Sequence, residues 1–414
     1  MSSTVSRPFT LPNGQVLPNR LVKAAMEENM AATGQLPDAQ FRRLYQRWSN
    51  GGVGLIITGN VMVHAEALTG PGGIVLDADS PLEPFRQWAD AAHAGGAKIW
   101  MQINHPGRQV RADMPGVAWA PSAIRVDIGK QSKRIAQPIE MTAEQITATI
   151  ARFADTARRA QEVGFDGVEI HAAHGYLLSQ FLSPLVNKRT DAWGGTLENR
   201  ARLLVSIVSA VRAAVGAQFA VAVKLNSADF QRGGFDADDA RNVIQMLEPL
   251  GVDVVELSGG SYESPAMSGR AADDRTIARE AYFLELATQL AQSSSLPLML
   301  TGGIARRPVA EEVLASGIDL VGMGTALAVD PDLPNKWRHS DEAQVQLKPI
   351  NIDDKAVASA ASMARVRQQL RRLGRGRAPQ PGIHPKIALA KETVLQRRAL
   401  RRYTTWLRLR KAVR

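Results

Sequence analysis

The sequence predicts an α/β protein, a (β/α)8 TIM barrel followed by a basic, helical C-terminal extension. Three observations predict it. Eight short apolar runs recur along residues 15–340, each followed by a helical pattern. The runs are nearly continuous in apolar residues, as parallel strands buried on both faces are. The last two end in glycine pairs, "TGGI" and "GMGTA", where a barrel of this kind often holds a phosphate. The runner-up is an open doubly wound sheet. No G-x-G-x-x-G follows the first run, which weakens it.

In chain order the expected strands are "LVKAAM" (21–26), "GLIITGN" (54–60), "KIWMQIN" (98–104) and "GVEIHAA" (167–173). "VAVKLN" (221–226), "VVELSGG" (254–260), "LPLMLTGG" (296–303) and "LVGMGTA" (320–326) complete the set. Helices are expected over 38–48, 81–94, 142–163, 196–214, 237–249, 279–292, 308–316 and 332–338. The helix over 142–163 carries Thr142 and Gln145 at capping-box spacing, then Ile146, Ile150, Phe153, Ala157 and Ala160 on one face. Strands and helices alternating eight times argue for closure into a barrel. Two more helices are expected in the extension, over 355–372 (capped near Asp353–Asp354) and 386–410, with "GRGRAPQPGIHP" as their linker. The domain boundary falls at residue 340, leaving 341–414 as the extension.

Composition narrows the chemistry. The chain has 414 residues and no cysteine, which excludes disulfides, Cys-ligated clusters and thiol catalysis. It shows no apolar window of spanning length and no signal-peptide core, so a cytoplasmic location is expected. The net charge of +10 is unevenly spread. Residues 355–414 hold 17 Lys/Arg against one acid, Glu392, a net of +16, which leaves the first 354 residues at −6.

Barrel catalysis sits at the C-terminal strand ends. That places His171 at the end of the fourth strand and His174 and Tyr176 in the loop just beyond. Only seven histidines occur in the chain, so two within four positions there stand out. The alternatives are a structural pair, or half a metal site; the spacing offers no third ligand, His105 and Glu169 being unfavoured, and no metal is expected. Long loops over about 105–141, 174–195 and 259–278 share this rim. At the far side, Gly302, Gly303, Gly324 and Thr325 can bring backbone N–H groups to a phosphate.

These motifs resemble the Old Yellow Enzyme family of FMN-dependent ene-reductases over about residues 7–338. "LPNRLVKAAM", "GLIITGN" and "MQINHPGRQ" resemble the family's first three strands. "FDGVEIHAAHGYLLSQFLSPLVNKRTDAWGGTLENR" is similar to its signature along the whole length. The resemblance implies that 1–340 form an FMN-binding barrel. Ala25, Met26, Gly59 and Asn60 would line the flavin, and Gln102 would bond its pyrimidine edge. Gly302, Gly303, Gly324 and Thr325 would hold its phosphate. NADPH or NADH would reduce it, and an enone-type substrate would then bind in the same place. His171 and His174 would donate to the carbonyl oxygen, and Tyr176 would protonate Cα.

Four positions depart from the family pattern. Glu27 stands beside the flavin where Thr or Cys is common. Lys224 replaces an Arg near the flavin, keeping the charge and losing the planar fork. Thr325 replaces a phosphate-binding Arg, and Trp193 a common Tyr. Two other functions stay open: an aldolase-like lyase using Lys224 as a Schiff-base lysine, and a barrel scaffold whose basic tail binds anionic membrane or nucleic acid. No nucleic-acid recognition motif is present, and none is expected to bind. In the last helix Leu395, Ala399, Tyr403 and Trp406 share a side, which predicts docking on this barrel or on a second copy in a homo-oligomer.

Overall fold

A computed structural model describes residues 4–264, 283–345, 350, 352 and 355–413. Eight parallel strands close on themselves: β1 Leu21–Lys23, β2 Leu55–Ile57, β3 Lys98–Asn104, β4 Gly167–Ala172, β5 Ala220–Asn226, β6 Val254–Ser258, β7 Leu298–Thr301 and β8 Leu320–Met323. Each pairs with the next, and Val321 opposite Leu21 joins β8 back to β1. Closure satisfies every strand edge and leaves an inside and an outside. The hairpin Phe9–Thr10/Val16–Leu17 lies at the base, packing Leu11 and Leu17 against the barrel's interior side chains.

Side chains alternate in and out along each strand, so the inner ones stack in layers. The lowest layer is apolar: Val22, Leu55, Trp100, Ala222, Val254, Met299 and Leu320 cluster there with the hairpin leucines. Two residues further along come Gln102, Glu169, Lys224, Glu256 and Thr301, all of them polar. Two more bring Asn104, His171, Asn226 and Ser258 to the rim. The outer faces meet the surrounding helices in a second, larger apolar cluster.

The helices that follow the strands are α1 Ala39–Asn50, α2 Glu83–His93, α3 Ala143–Glu162, the one-turn-and-a-half α4 Leu177–Leu182, and α5 Leu197–Ala214. Then come α6 Ala237–Leu247, α7 Leu284–Ala291, α8 Arg307–Ala315, α9 Thr325–Val329 and α10 Leu333–Trp337. Their starts follow the local sequence. Asp38 accepts from the Gln40 and Phe41 N–H groups at 2.8 and 3.2 Å. Thr142 and Gln145 form the expected capping box.

Several expectations need correction at their edges. Strands β1, β2, β7 and β8 are shorter than the apolar runs that announced them, because the runs continue into the rim segments beyond the last paired residues. Val61–Met62 and Ile74–Val75 add short strands, the first of them pairing with β3, between the second expected strand and the helix expected from 81, where no element was expected. The start of the helix expected over 279–292, and the Asp353–Asp354 cap, lie outside the described residues.

The extension contributes α11 Lys355–Gly374 and α12 Pro385–Val413, packed on each other, with α11 also against α1 and α9. Tyr403 is fully buried among Met62, Ala65, Leu68, Val75 and Leu407, and its hydroxyl donates to the Ala65 carbonyl at 2.9 Å. Arg410 bonds Asp77 and Asp79 at 2.7 Å, and Lys411 pairs with Glu66 at 2.6 Å. Basic tail and acidic body therefore meet through specific pairs around an apolar contact on the same barrel. Among the described residues no helix is long and apolar enough to cross a membrane.

Candidate active site

The rim after β4 is a strained turn. His174 takes φ 60° and Gly175 φ 73°, two left-handed residues in succession. A histidine rarely adopts this conformation, and it persists where neighbours hold it. Asn226 Oδ1 accepts from the His174 N–H at 3.1 Å, and Gln109 Nε2 donates to its carbonyl at 3.0 Å. The turn swings Tyr176 back over the mouth, where it precedes α4.

Three side chains far from equivalent in sequence then converge. The His171 ring lies 5.1 Å from that of His174 and 4.8 Å from that of Tyr176, both edge-on. His171 Nδ1 accepts from the Ala173 N–H at 3.2 Å, which leaves the proton of the neutral ring on Nε2. His174 Nε2 lies 2.7 Å from Ser258 Oγ. Burial, then the neighbouring His174 and Lys224, hold His171 well below the ordinary imidazole range. Burial and Lys224 pull His174 down to about 3. Both rings are neutral at physiological pH. They can donate N–H bonds to an oxygen but carry no charge to neutralise.

The Tyr176 hydroxyl lies 3.4 Å from that of Tyr262, from the loop after β6. Burial, Tyr262 and then Glu27 push the Tyr176 hydroxyl well above its usual range, so it stays protonated. Tyr262 itself is pushed up to about 12, first by burial and then by Glu27. Sequence reading missed Tyr262. The available signal was an aromatic hydroxyl in "SGGSYES", within a loop already assigned to this rim.

Beneath these groups lies the charged layer. Lys224 pairs with Glu256, both almost completely buried. Gln102 Nε2 donates to Glu169 Oε2 at 2.5 Å. Burial and the adjacent Glu256 drive the Glu169 carboxyl well up, whereas Lys224 holds Glu256 low against the opposing effect of burial. Gln102 thus spends one amide hydrogen inside the barrel. Lys224 is held in a buried ion pair with Glu256, which occupies the nitrogen that a Schiff base would have to offer to a carbonyl.

Ala25, Met26 and Glu27 follow β1 at the rim, beside Gly59 and Asn60 after β2. A Cβ on Gly59 would lie 2.3 Å from the Met26 carbonyl oxygen and 2.1 Å from Glu28 Oε2, so only glycine lets these loops meet. Among the described residues the buried Asn60 Oδ1 has no hydrogen-bond partner, which suits an external donor. Gly302 and Gly303 follow β7, Gly303 with φ 71°; Gly324 and the exposed Thr325 open α9 after β8. Backbone N–H groups at these two adjacent strand ends are candidates to receive an anion. Trp193 lies in the loop before α5, its N–H bonded to Asp191 Oδ1 at 3.0 Å. Glu27 is not a free carboxylate: Thr69 donates to it, and Arg367 of α11 pairs with it at 2.7 Å. Sequence reading also missed Arg367, one among 17 basic residues of the tail with nothing local to distinguish it.

The donor set fits FMN: glycine-bearing strand ends that could hold one phosphate, an amide oxygen with no partner among the described residues, and a mouth lined by neutral donors. A parallel barrel with this mouth defines a flavin-dependent oxidoreductase. The chain belongs to the NADH:flavin oxidoreductase / NADH oxidase family, the Old Yellow Enzyme family, whose model matches residues 5–344. FMN is accordingly its flavin and a reduced nicotinamide its electron donor. It is 39% identical over 361 residues to the NADH-dependent flavin oxidoreductase iliE of Hypocrea jecorina, covering 82% of this chain and 90% of that one. It is 38% identical over 353 residues to the protein of the same name from a Neonectria species, covering 79% of this chain but 46% of the relative. A 2-naphthoyl-CoA reductase structure superposes with a TM-score of 0.75 at 29% identity, over 81% of this chain and 52% of that one. Morphinone reductase superposes with a TM-score of 0.70 at 23% identity, over 85% and 92%, which bears on the fold. The chain thus spans about half the length of two of these.

Proposed function

We propose that the protein takes hydride from NAD(P)H and reduces the C=C bond of an α,β-unsaturated carbonyl or related electron-poor compound. The observation that carries this reading is the convergence of His171, His174 and Tyr176 at the strained turn after β4. The bound flavin supplies the hydride. The chain polarises, orients and protonates.

Two neutral imidazoles donate to the substrate oxygen, and the donated bonds strengthen as that oxygen gains negative charge. Neutral rings suit this role because they stabilise the developing enolate without surrendering a proton early. Tyr176, kept protonated by its burial, delivers the proton to Cα, with Tyr262 beside its hydroxyl. Asn226 and Ser258 hold the His174 backbone and ring, so the donors are fixed before substrate arrives. Gly302, Gly303, Gly324 and Thr325 are assigned to the phosphate, and Ala25, Met26, Gly59, Asn60 and Gln102 to the flavin ring. Several relatives are named for NADH, which makes NADH the first donor to test.

Separating the half-reactions by rapid mixing tests the assignment. Tyr176→Phe is expected to leave flavin reduction by NADH within about twofold and to slow enone reduction by roughly 10²–10⁴-fold, the usual range for a positioned acid. Equal slowing of both half-reactions would remove Tyr176 from this role.

A further inference from the structure

The loop after β1 and the tail helix α11 meet in a buried network of charge. Arg367 Nη2 lies 2.7 Å from the Glu27 carboxylate, and its Nε donates to the Glu27 carbonyl at 3.3 Å. Arg367 Nη1 reaches Glu392 of α12 at 3.3 Å, and Glu392 is shared with Arg371. Arg371 also donates to the Asn29 carbonyl at 3.3 Å, so the tail grips this loop at two points. The side chains of Glu27, Arg367, Arg371 and Glu392 are exposed by only 15, 11, 8 and 7%. Two cations and two anions make a neutral set, and the extension brings three of the four.

The network is within electrostatic reach of the reacting mouth. Glu27 pushes the hydroxyls of Tyr176 and Tyr262 upward, and Arg367 pulls both back, in each case after burial and after the tyrosines' own interaction or Glu27 itself. Glu27 by itself would place a negative charge beside groups that must tolerate more of it. Arg367 cancels that charge at contact distance, in a place where solvent screens poorly.

We propose that Arg367 is a positioning residue of the catalytic site: the C-terminal extension inserts it as the fixed counter-ion of Glu27, and this pair sets how much negative charge the mouth accepts. The proposal rests on the reading of the mouth as a flavin and enone site. Both the reduced flavin and the substrate oxygen gain negative charge there, so both respond to the pair with the same sign. A purely structural clamp between tail and loop behaves differently, since loss of either partner then damages the site in one direction.

The test uses full-length, FMN-loaded protein and four variants: R367M, R367K, E27Q and the double variant E27Q/R367M. One measurement is the midpoint potential of the bound flavin, by equilibration with a reference dye. The other is the affinity for para-hydroxybenzaldehyde, titrated as the phenolate through the flavin absorbance. R367M is expected to lower the potential and weaken phenolate binding. At fixed poise the ratio of reduced to oxidised flavin falls by roughly tenfold or more, as one unit charge a few ångström away requires at an effective dielectric of about 20. E27Q moves both quantities the other way, and the double variant returns to within roughly threefold of the unsubstituted protein. R367K keeps the charge and stays near the starting potential. If R367M fails to fold with flavin, E27Q and R367K alone decide the matter by the same signs. Unchanged values in all variants at normal flavin content, or shifts of R367M and E27Q in the same direction, would overturn the proposal. An unsubstituted protein that binds no flavin, or no phenolate, refutes the reading of the mouth instead, and the proposal falls with it.

Discussion

Tyr403→Ala removes the side chain that seats α12 on the barrel. The ring is fully buried against Met62, Leu68, Val75 and Leu407, and the hydroxyl closes a 2.9 Å bond to the Ala65 carbonyl. Deleting a buried aromatic ring costs about 3–5 kcal/mol, through lost transfer energy and the cavity left behind. Losing the hydroxyl adds about 1 kcal/mol and leaves the Ala65 carbonyl unpaired. Tyr403→Phe isolates that second contribution and is expected to cost only about 1 kcal/mol. Most of a helix's stability in a protein comes from packing its apolar face, so such a loss exceeds what the remaining contacts can readily replace. The expected outcome is release of α12 with the barrel still folded. Limited trypsin digestion reads it directly, since Arg397, Arg398, Arg401, Arg402, Arg408 and Arg410 line the helix. The Ala variant should be clipped there rapidly, the Phe variant and the unsubstituted protein slowly. Equal digestion rates and equal melting temperatures for all three would refute docking through this contact.

Mild denaturation is expected to release one FMN per chain, identified by mass; recovery of FAD would count against the single-phosphate cradle at Gly302, Gly303, Gly324 and Thr325. Lys224→Met strands the buried Glu256 and should cost about 3–5 kcal/mol in urea titration, part of it recovered in a Lys224→Met/Glu256→Leu double variant. Borohydride in the presence of a small ketone should leave Lys224 unmodified, and a trapped adduct would revive the lyase reading. Burial lowers His174 from 6.5 to about 3, so below pH 6.5 the unfolded chain binds a proton that the fold excludes. Stability therefore falls as pH drops from about 6.5 towards 3, and His174→Gln should show a shallower loss in urea midpoints measured across that window.

Much of this was legible in the residues themselves. Near-continuous apolar runs announced eight buried parallel strands, because a strand covered on both faces has no polar side to show. The capping pair Thr142 and Gln145 is local, and local geometry satisfies it. The signature around His171, His174 and Tyr176 lies within six positions, so one turn presents all three and their address at the rim follows from the strand before them. The side shared by Ala399 and Tyr403 likewise pointed to docking. The layering of the barrel interior was latent in the alternation of "VAVKLN" and "VVELSGG", although nothing along the chain says that Lys224 and Glu256 face each other. That pairing depends on neighbouring strands aligned at Lys224 opposite Glu256. Tyr262 lies 86 positions from Tyr176 and Arg367 lies 340 from Glu27. Contacts of that span leave no periodicity or spacing to read, since each partner's local surroundings are those of an ordinary loop or a basic helix. Chain closure decides them: the barrel brings the loops after β1, β4 and β6 to one mouth, and the folded-back tail delivers a cation there. Residue types and local pattern thus determined the fold and the turn that carries His171, His174 and Tyr176, while the charge environment of the mouth belongs to the tertiary structure alone.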